Sequence, residues 1–356
     1  MGNKVFSFHH RPSPSNSGDL AAAMDRWTGV VDAPLSRGGP LLRVAASLIL
    51  SPAKTLAVPR ANAILFTGDR VRGTGDPVIK QLSGAAHLAR VLAGKLSGET
   101  NAWVVDAACF AGPFVVYQQL VPSVDSAGDP NSTRGMNEST GFPAAAGIAS
   151  IFEHGIGELI QNKISGCSSK DSAVNQHPAA SLTSYCPPRT IILGFSKGGV
   201  VVNQLVTELS CWASKSMKNS VDVSRPNPYD LTHNLPVPTS TGDVLSSGKN
   251  IFEFHYVDVG LNCAGAYITD HAVFKEMANY VSRTSKNLRF VHGTPRQRSD
   301  PNRSWILKEK DIMLLLLRDE AQRCEGRLLT SEKKYFDGRP RSLLMHFEIL
   351  EAVDIS

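Results

Sequence analysis

Short apolar segments of strand length alternate along this chain with longer segments in which apolar residues recur at helical spacing. Residues 61–66, 102–105 and 190–193 are almost entirely apolar, which is typical of strands that are buried on both faces. Between them, residues 77–96 carry apolar side chains every three or four positions, and residues 200–212 do the same after the third strand. This alternation predicts an α/β fold, with a mostly parallel sheet and helices on both faces.

The composition bounds the domain organisation. Of the 356 residues, 42% are hydrophobic and 19% are charged, which is enough apolar material for a sizeable core. Residues 1–40 are rich in Ser, Pro and Gly and are predicted to form a flexible leader, whereas residues 41–356 are predicted to form one domain. Three segments with little apolar periodicity, at about 123–141, 166–188 and 213–250, are expected to be disordered surface insertions in that domain.

Charge and cysteine usage disfavour several classes of function. The net charge is +5, but the basic residues are scattered and no aromatic-interleaved basic stripe is present, so we expect no nucleic-acid partner. The six cysteines include no Cys-x-x-Cys pair and no Cys/His ligand spacing, which predicts reduced thiols, no metal site and no cofactor. No apolar run is long enough for a transmembrane segment, and the first forty residues lack a signal-peptide core.

One turn carries a specific chemical signal. Gly194-Phe195-Ser196-Lys197-Gly198 joins a short apolar strand to an apolar helix. In so tight a turn, side chains two residues before and after the serine would collide, and glycine at both positions removes them. The helix that follows directs its free N–H groups and its dipole toward charge that develops at the serine. This context favours Ser196 as a nucleophile over the alternative of a serine that only caps the helix.

Further motifs occur in a characteristic order. They lie at residues 66–69, 194–198, 201–205, 294–301, 303–305 and 346–347. With these motifs the chain resembles the α/β-hydrolase-like family named after a human chromosome 2 open reading frame, as a plant-type homologue. The resemblance runs from about residue 64 to the carboxyl end and omits the three insertions. It implies an α/β-hydrolase fold, a Ser/Asp/His site and a mitochondrial location like that of the animal member, with a cytoplasmic location as the alternative. It supplies no substrate.

This sequence departs from the family pattern at one place. Family members have a histidine in the loop after the strand that here ends at Asp258, whereas residues 258–262 read Asp-Val-Gly-Leu-Asn. Because hydrolases of this fold supply serine, acid and histidine in that order, His346 near the carboxyl end is the predicted base. The alternative is that His346 packs against or caps the final helix. His292 is interpreted as a strand-end core histidine and His271 as part of a helix start.

Two carboxylates compete for the role of the acid. Many enzymes of this fold place an aspartate about three residues after a late His-Gly pair, but here Arg296 occupies that position and Asp300 is the first carboxylate. Asp300 is the preferred acid, because its loop could fold back toward His346. Asp258, at the end of the preceding strand, is the alternative. Either residue could instead make an Asx-turn or cap a helix.

The remaining site predictions concern backbone donors. An oxyanion hole is expected from the N–H of Lys197 together with that of Gly68 or Asp69. The Asp69 side chain is expected to order its turn. The charge of Lys197 hints at an acidic or phosphate-bearing substrate, but a solvated surface lysine is the default interpretation. The sequence thus predicts a serine esterase or lipase-like hydrolase for a small-molecule or lipid-like ester or thioester. The alternative is a catalytically inactive binding or assembly factor with this fold.

Overall fold

The computed structural model describes most of the chain outside the termini and the long polar segments. The described residues are 25–35, 40–54, 56–96, 98–131, 142–166, 189–219, 251–281, 287–325 and 327–355. The predictions for residues 1–24 and for most of the three insertions therefore lie outside the described residues.

Ten strands are described. In chain order they are β1 (Arg26–Pro34), β2 (Leu41–Ile49), β3 (Ala61–Phe66), β4 (Thr100–Asp106), β5 (Cys109–Ala111), β6 (Phe114–Val116), β7 (Arg189–Phe195), β8 (Ile251–Val257), β9 (Asn287–Gly293) and β10 (Leu328–Lys334). Eight of these strands form one sheet in the order β1-β2-β4-β3-β7-β8-β9-β10, while β5 and β6 pair as a separate hairpin. Within the eight-stranded sheet only the β1–β2 and β2–β4 pairs are antiparallel, and β4, β3, β7, β8, β9 and β10 pair in parallel.

Eight helices are found among the described residues. They are α1 (Pro77–Leu82), α2 (Ala85–Lys95), α3 (Pro143–Gly166), α4 (Gly199–Asn219), α5 (His271–Val281), α6 (Pro295–Arg298), α7 (Ser304–Arg323) and α8 (Leu343–Ala352). None of the helices within the described ranges is both long and apolar enough to cross a membrane.

The helices bury both faces of the sheet. Apolar residues of α3, α4, α5 and α7 pack on one face around Trp103 and Phe152, and those of α1, α2 and α8 pack on the other around Leu193 and Phe347. Strand β3 is buried at all of its positions, which explains its uniformly apolar sequence. A mostly parallel sheet that is covered on both faces and carries a serine at a strand-to-helix turn is the α/β-hydrolase fold, which confirms the predicted fold class.

Several predicted boundaries are wrong. The leader was expected to extend to residue 40, but Arg26–Pro34 forms β1 and pairs along its whole length with β2. The insertion expected at 123–141 begins with a folded turn at residues 123–131, in which Val124 is buried and bridges to Pro130. Helix α4 extends to Asn219, beyond the expected start of the third insertion at residue 213. For β1 and for the turn at 123–131, pairing and burial outweigh the polar composition of the segment.

Candidate active site

Ser196 occupies a sharp turn at the carboxyl end of β7, the strand between β3 and β8 in the sheet. Its backbone has φ of 52°, a left-handed conformation that costs a non-glycine residue about 1–2 kcal/mol. A short 3-10 turn at Ser196–Gly198 leads directly into α4. The predicted strand–turn–helix arrangement is therefore present, and Ser196 is held in the strained geometry that such a turn requires.

The two glycines of the motif are required by close backbone approach. A Cβ atom on Gly194 would lie 2.6 Å from Cγ2 of Val202 and 2.8 Å from the carbonyl oxygen of Gly198. A Cβ atom on Gly198 would lie 2.2 Å from the carbonyl oxygen of Phe66, at the end of β3. These contacts allow no side chain at either position, as the sequence predicts.

The loop after β3 passes directly beside the nucleophile candidate. A Cβ atom on Gly68 would lie 2.5 Å from Cβ of Ser196 and 3.1 Å from its Oγ. Within the described part of the chain, the amide N–H groups of Gly68 and Asp69 have no hydrogen-bond acceptor. The loop that was predicted to supply a second backbone donor is therefore adjacent to Ser196 and Lys197, and its donors are available to an anion.

His346 lies in the first turn of α8, whose N-cap is Ser342. The imidazole is buried and stacks on the ring of Phe195, with 4.6 Å between ring centroids and 29° between ring planes. Because Phe195 immediately precedes Ser196, this stack ties the orientation of the imidazole to the elbow. Among the described residues, neither Oγ of Ser196 nor Nε2 of His346 forms a hydrogen bond. In such sites these hydrogen bonds are often long before substrate binds.

Asp258 is the carboxylate that contacts the imidazole. Its Oδ2 lies 2.6 Å from Nδ1 of His346. The same carboxylate accepts hydrogen bonds from the backbone N–H of Thr294 at 2.7 Å and from its hydroxyl at 2.9 Å. Asp258 is 0% exposed and has φ of 45°, so a strained turn at the end of β8 directs its side chain inward. The pairing makes Nδ1 the donor and leaves Nε2 as the basic nitrogen.

The preference for Asp300 over Asp258 is corrected by this geometry. Asp300 caps the 3-10 turn at Pro301–Arg303, where its carboxylate accepts a hydrogen bond from the N–H of Asn302 at 3.0 Å and from Nε of Arg303 at 2.9 Å. The hydrogen bond from Arg303 is the main reason why the pKa of the Asp300 carboxyl is lowered. The Asx-turn and N-cap alternative therefore describes Asp300, and the loop does not fold back onto His346.

Lys197 is not a solvated surface lysine. Its side chain is 1% exposed, and its Nζ lies 2.9 Å from Oδ1 of Asp129 and 2.9 Å from the carbonyl oxygen of Ala127. The ammonium also lies 4.8 Å from the centroid of the Phe114 ring. Because its charge is already paired inside the protein, the Lys197 side chain gives no reason to expect an acidic substrate.

Asp69 orders its loop, as predicted. Its Oδ1 accepts a hydrogen bond from the N–H of Val115 in β6 at 2.8 Å. Burial raises the pKa of the Asp69 carboxyl, while the nearby ammonium of Lys197 and the hydrogen bond from Val115 oppose that rise. The carboxylate thus links the loop after β3 to the β5–β6 hairpin.

The two histidines that the sequence analysis weighed against His346 have structural partners. His292 is buried at the end of β9, with its Nε2 2.9 Å from Nδ1 of His255 and its Nδ1 3.0 Å from the hydroxyl of Tyr335. Burial lowers the pKa of His292 to about 2, so the ring is neutral. Nε2 of His271, at the start of α5, lies 2.8 Å from Glu320. Both placements agree with the sequence-based interpretations of these residues.

No protein-family model matches the sequence, and comparison with curated proteins finds no significant match. Among solved structures, the chain is similar to an S-formylglutathione hydrolase from Agrobacterium tumefaciens, with 10% identity, a TM-score of 0.36, and 93% of this chain and 94% of that chain covered. A lipase/esterase from Lactobacillus plantarum is 14% identical, with a TM-score of 0.36 and coverage of 88% and 91%. An IroE-like serine hydrolase from Shewanella oneidensis is 10% identical, with a TM-score of 0.39 and coverage of 92% and 78%. At these values the likenesses carry no functional argument.

Sequence reasoning missed two residues that organise the site. Thr294, which binds both oxygens of Asp258, was noted only as part of a motif, although a hydroxyl residue directly after the strand next to β8 is well placed to meet that carboxylate. Asp129 lies in a segment whose composition suggested disorder, and no local pattern links it to Lys197. Within the described residues, no cluster of three or more His, Cys, Asp or Glu side chains is arranged to hold a metal ion.

Proposed function

We propose that this protein is a serine hydrolase that cleaves carboxylic esters or thioesters, with Ser196 as nucleophile, His346 as general base and Asp258 as the residue that orients the imidazole. One arrangement carries the proposal. Ser196, in its strained conformation, lies beside Gly68, and Phe195 stacks on the imidazole of His346. Nδ1 of that imidazole is bound by the buried carboxylate of Asp258. These are the relationships that acyl transfer by a serine requires.

The proposed reaction has two halves. In the first, Oγ of Ser196 attacks the substrate carbonyl and Nε2 of His346 takes the hydroxyl proton. The resulting oxyanion accepts hydrogen bonds from the backbone N–H of Lys197 and from that of Gly68 or Asp69. Collapse of this intermediate breaks the ester or thioester bond, and the imidazolium returns its proton to the leaving oxygen or sulfur. In the second half, water attacks the acyl-serine by the same route and releases the carboxylic acid.

The backbone donors support acyl rather than phosphoryl transfer. Two amides beside Ser196 suit a single oxyanion, and the buried cation next to them is neutralised by Asp129. We therefore expect a small-molecule or lipid-like ester or thioester without a required negative charge. The resemblance to the chromosome 2 open-reading-frame family and the mitochondrial location, with the cytoplasm as alternative, stay predictions.

A covalent probe tests the proposal. An alkyl fluorophosphonate carrying a reporter is expected to label the wild-type protein at one site and to leave Ser196→Ala unlabelled. Ser299→Ala, which removes an exposed serine away from the elbow, is the matched control and should label like wild type. Peptide mapping of the adduct to Ser196 would support the assignment, and equal labelling of wild type and Ser196→Ala would overturn it. Assays of p-nitrophenyl ester and acyl thioester hydrolysis then show which of the two bond types the protein cleaves.

The second candidate is an inactive protein of this fold that acts in binding or assembly. The observation that favours it is the lack of a hydrogen bond between Ser196 Oγ and His346 among the described residues. On this account, folded wild-type protein reacts with fluorophosphonate no faster than Ser196→Ala, and it turns over no ester. Labelling of wild type at a rate that depends on His346 excludes this candidate.

A further inference from the structure

The two loops that carry the backbone donors beside Ser196 are linked by a closed series of contacts. One donor, the N–H of Lys197, lies in the elbow, and the others, those of Gly68 and Asp69, lie in the loop after β3. The elbow and this loop meet through van der Waals contacts, of Gly68 with Ser196 and of Gly198 with Phe66 and Thr67. The pairing of β3 with β7 ends at Phe66 and Gly194, so beyond the strands further contacts are needed to hold the donors at the fixed distances that an oxyanion hole requires.

The first link is the Lys197 side chain. Its ammonium reaches the turn at residues 124–130, here called the bracing turn, and contacts the carbonyl oxygen of Ala127 and the carboxylate of Asp129, each at 2.9 Å. The Phe114 ring lies over the same ammonium. The ammonium therefore donates one hydrogen bond, to Ala127, while the ion pair with Asp129 and the Phe114 ring balance its charge.

The second link is the bracing turn itself. Oδ1 of Asp125 accepts hydrogen bonds from the N–H of Ala127 at 2.8 Å and from that of Asp129 at 3.0 Å. Gly128 has φ of 78°, and a Cβ atom there would lie 2.1 Å from the carbonyl oxygen of Val115 in β6. The turn is thus internally fixed and rests directly on the β5–β6 hairpin.

The third link joins the hairpin to the loop after β3. The N–H of Val115 donates to Oδ1 of Asp69 at 2.8 Å, and the N–H of Arg70 donates to the carbonyl oxygen of Pro113 at 2.8 Å. The series therefore runs from the elbow through the Lys197 side chain, the bracing turn and the hairpin to the loop that contains Gly68. It closes where Gly68 meets Ser196.

We propose that the Lys197 side chain is a positioning residue, which fixes the separation of the oxyanion donors through its buried contacts with Asp129 and Ala127. The inference rests on the proposed function for its catalytic consequence, and it deepens that function by giving the side chain of the motif's variable position a role. Loss of the ammonium frees the bracing turn and lets the two donor loops move apart. Transition-state stabilisation then falls, whereas substrate binding in the ground state, which these donors scarcely serve, is kept.

Steady-state kinetics test the catalytic consequence. Lys197→Met and Asp129→Asn are each expected to lower kcat for p-nitrophenyl acetate by about 10- to 100-fold, with KM unchanged. The double variant should lower kcat no further than the more damaging single variant does, because both substitutions break the same contact between Lys197 and Asp129. Lys310→Met is the matched control, since Lys310 is also buried and pairs with Glu332 at 2.6 Å, but on α7. Folded Lys310→Met should keep the wild-type kcat.

Amide hydrogen exchange tests the structural part independently of activity. In a Ser196→Ala background, Lys197→Met or Asp129→Asn should accelerate exchange at residues 68–70 and 125–129, whereas Lys310→Met should not. Asn has nearly the same volume as Asp, so the Asp129→Asn variant still provides the test if Lys197→Met fails to fold. Unchanged exchange in both site variants overturns the inference, as does unchanged kcat in an active enzyme. A larger rise of KM for anionic than for neutral esters would also overturn it, because the side chain would then bind substrate. If the fluorophosphonate does not label wild type at Ser196, that result contradicts the proposed function and leaves the structural part of the inference to the exchange experiment.

Discussion

The carboxylate of Asp258 lies 2.6 Å from Nδ1 of His346, although the two residues are 88 positions apart in the chain. The contact joins the end of β8 to the first turn of α8. Both carboxylate oxygens are also bound by Thr294, through its N–H and its hydroxyl. Since the group is fully buried and accepts three hydrogen bonds, it acts as a fixed acceptor that holds the imidazole in one tautomer.

Replacing this carboxylate should remove most of the activity. Asp258→Asn is expected to lower kcat/KM for an activated ester by about 10³- to 10⁴-fold, because an amide can present its NH₂ to Nδ1 and stabilise the wrong tautomer. Asp300→Asn is the matched control and should stay within about threefold of wild type, since Asp300 binds Arg303 and the N–H of Asn302. Stopped-flow hydrolysis with active-site titration measures both. The reverse ranking of the two variants would refute the assignment of the acid.

The proposed nucleophile and base could be selected from the sequence because each carries a signal there. Ser196 lies between two glycines at a strand-to-helix turn, and His346 lies in the first turn of the last helix. The choice between Asp258 and Asp300 could not be made in the same way. It depends on which of two loops reaches an imidazole far along the chain, and both aspartates follow late strands and suit turns.

The burial of Lys197 also could not be predicted from the sequence. A lysine is buried only if a partner accepts its charge, and the partner here, Asp129, lies in a segment rich in Gly, Ser and Asp that resembles an unstructured loop. Strand β1 was missed for a related reason. It is fixed by its pairing with β2 along its whole length, which its composition does not reveal. The fold class was predictable because alternating strands and helices repeat along the whole chain.

The strain at Ser196 predicts a variant that is more stable and inactive. Ser196→Gly should raise the free energy of unfolding by about 1 kcal/mol, because glycine adopts φ near 52° without a Cβ penalty. This gain exceeds the cost of the greater conformational entropy that glycine gives the unfolded chain. Ser196→Ala keeps the Cβ and should lie within about 0.5 kcal/mol of wild type. Urea denaturation followed by circular dichroism compares the three proteins. A glycine variant less stable than the alanine variant would show that the turn stores no strain.

Glu208 predicts a pH-dependent contribution to stability. Its buried carboxylate in α4 accepts hydrogen bonds from the N–H groups of Ala144 at 2.9 Å and Ala145 at 2.8 Å, at the start of α3, and from Gln204 at 2.9 Å. Burial raises its pKa from 4.5 to about 7. Its stabilising contribution should therefore be largest below pH 4.5 and should be lost as the pH rises through 7.

A glutamine at this position isolates the effect. Glu208→Gln cannot titrate, and it loses one of the two hydrogen bonds to the start of α3, which should cost about 1–3 kcal/mol at pH 5. The difference from wild type should shrink between pH 5 and pH 8, as the wild-type carboxyl ionises in its buried site. Urea midpoints across this range measure the difference. A difference that does not change with pH would contradict the raised pKa.

The buried pair of His255 and His292 predicts the opposite dependence. Burial lowers the pKa of both rings, that of His292 from 6.5 to about 2, so the unfolded chain takes up protons first on acidification. Stability that is present above pH 6.5 should thus fall as the pH drops, by up to about 1.4 kcal/mol per pH unit for each ring. His292→Gln removes one titrating group while keeping polar atoms for His255 and Tyr335. The difference in unfolding free energy between wild type and this variant should narrow steadily from pH 7 to pH 4. A difference that stays constant from pH 7 to pH 4 would rule out the buried pair as the source of acid sensitivity.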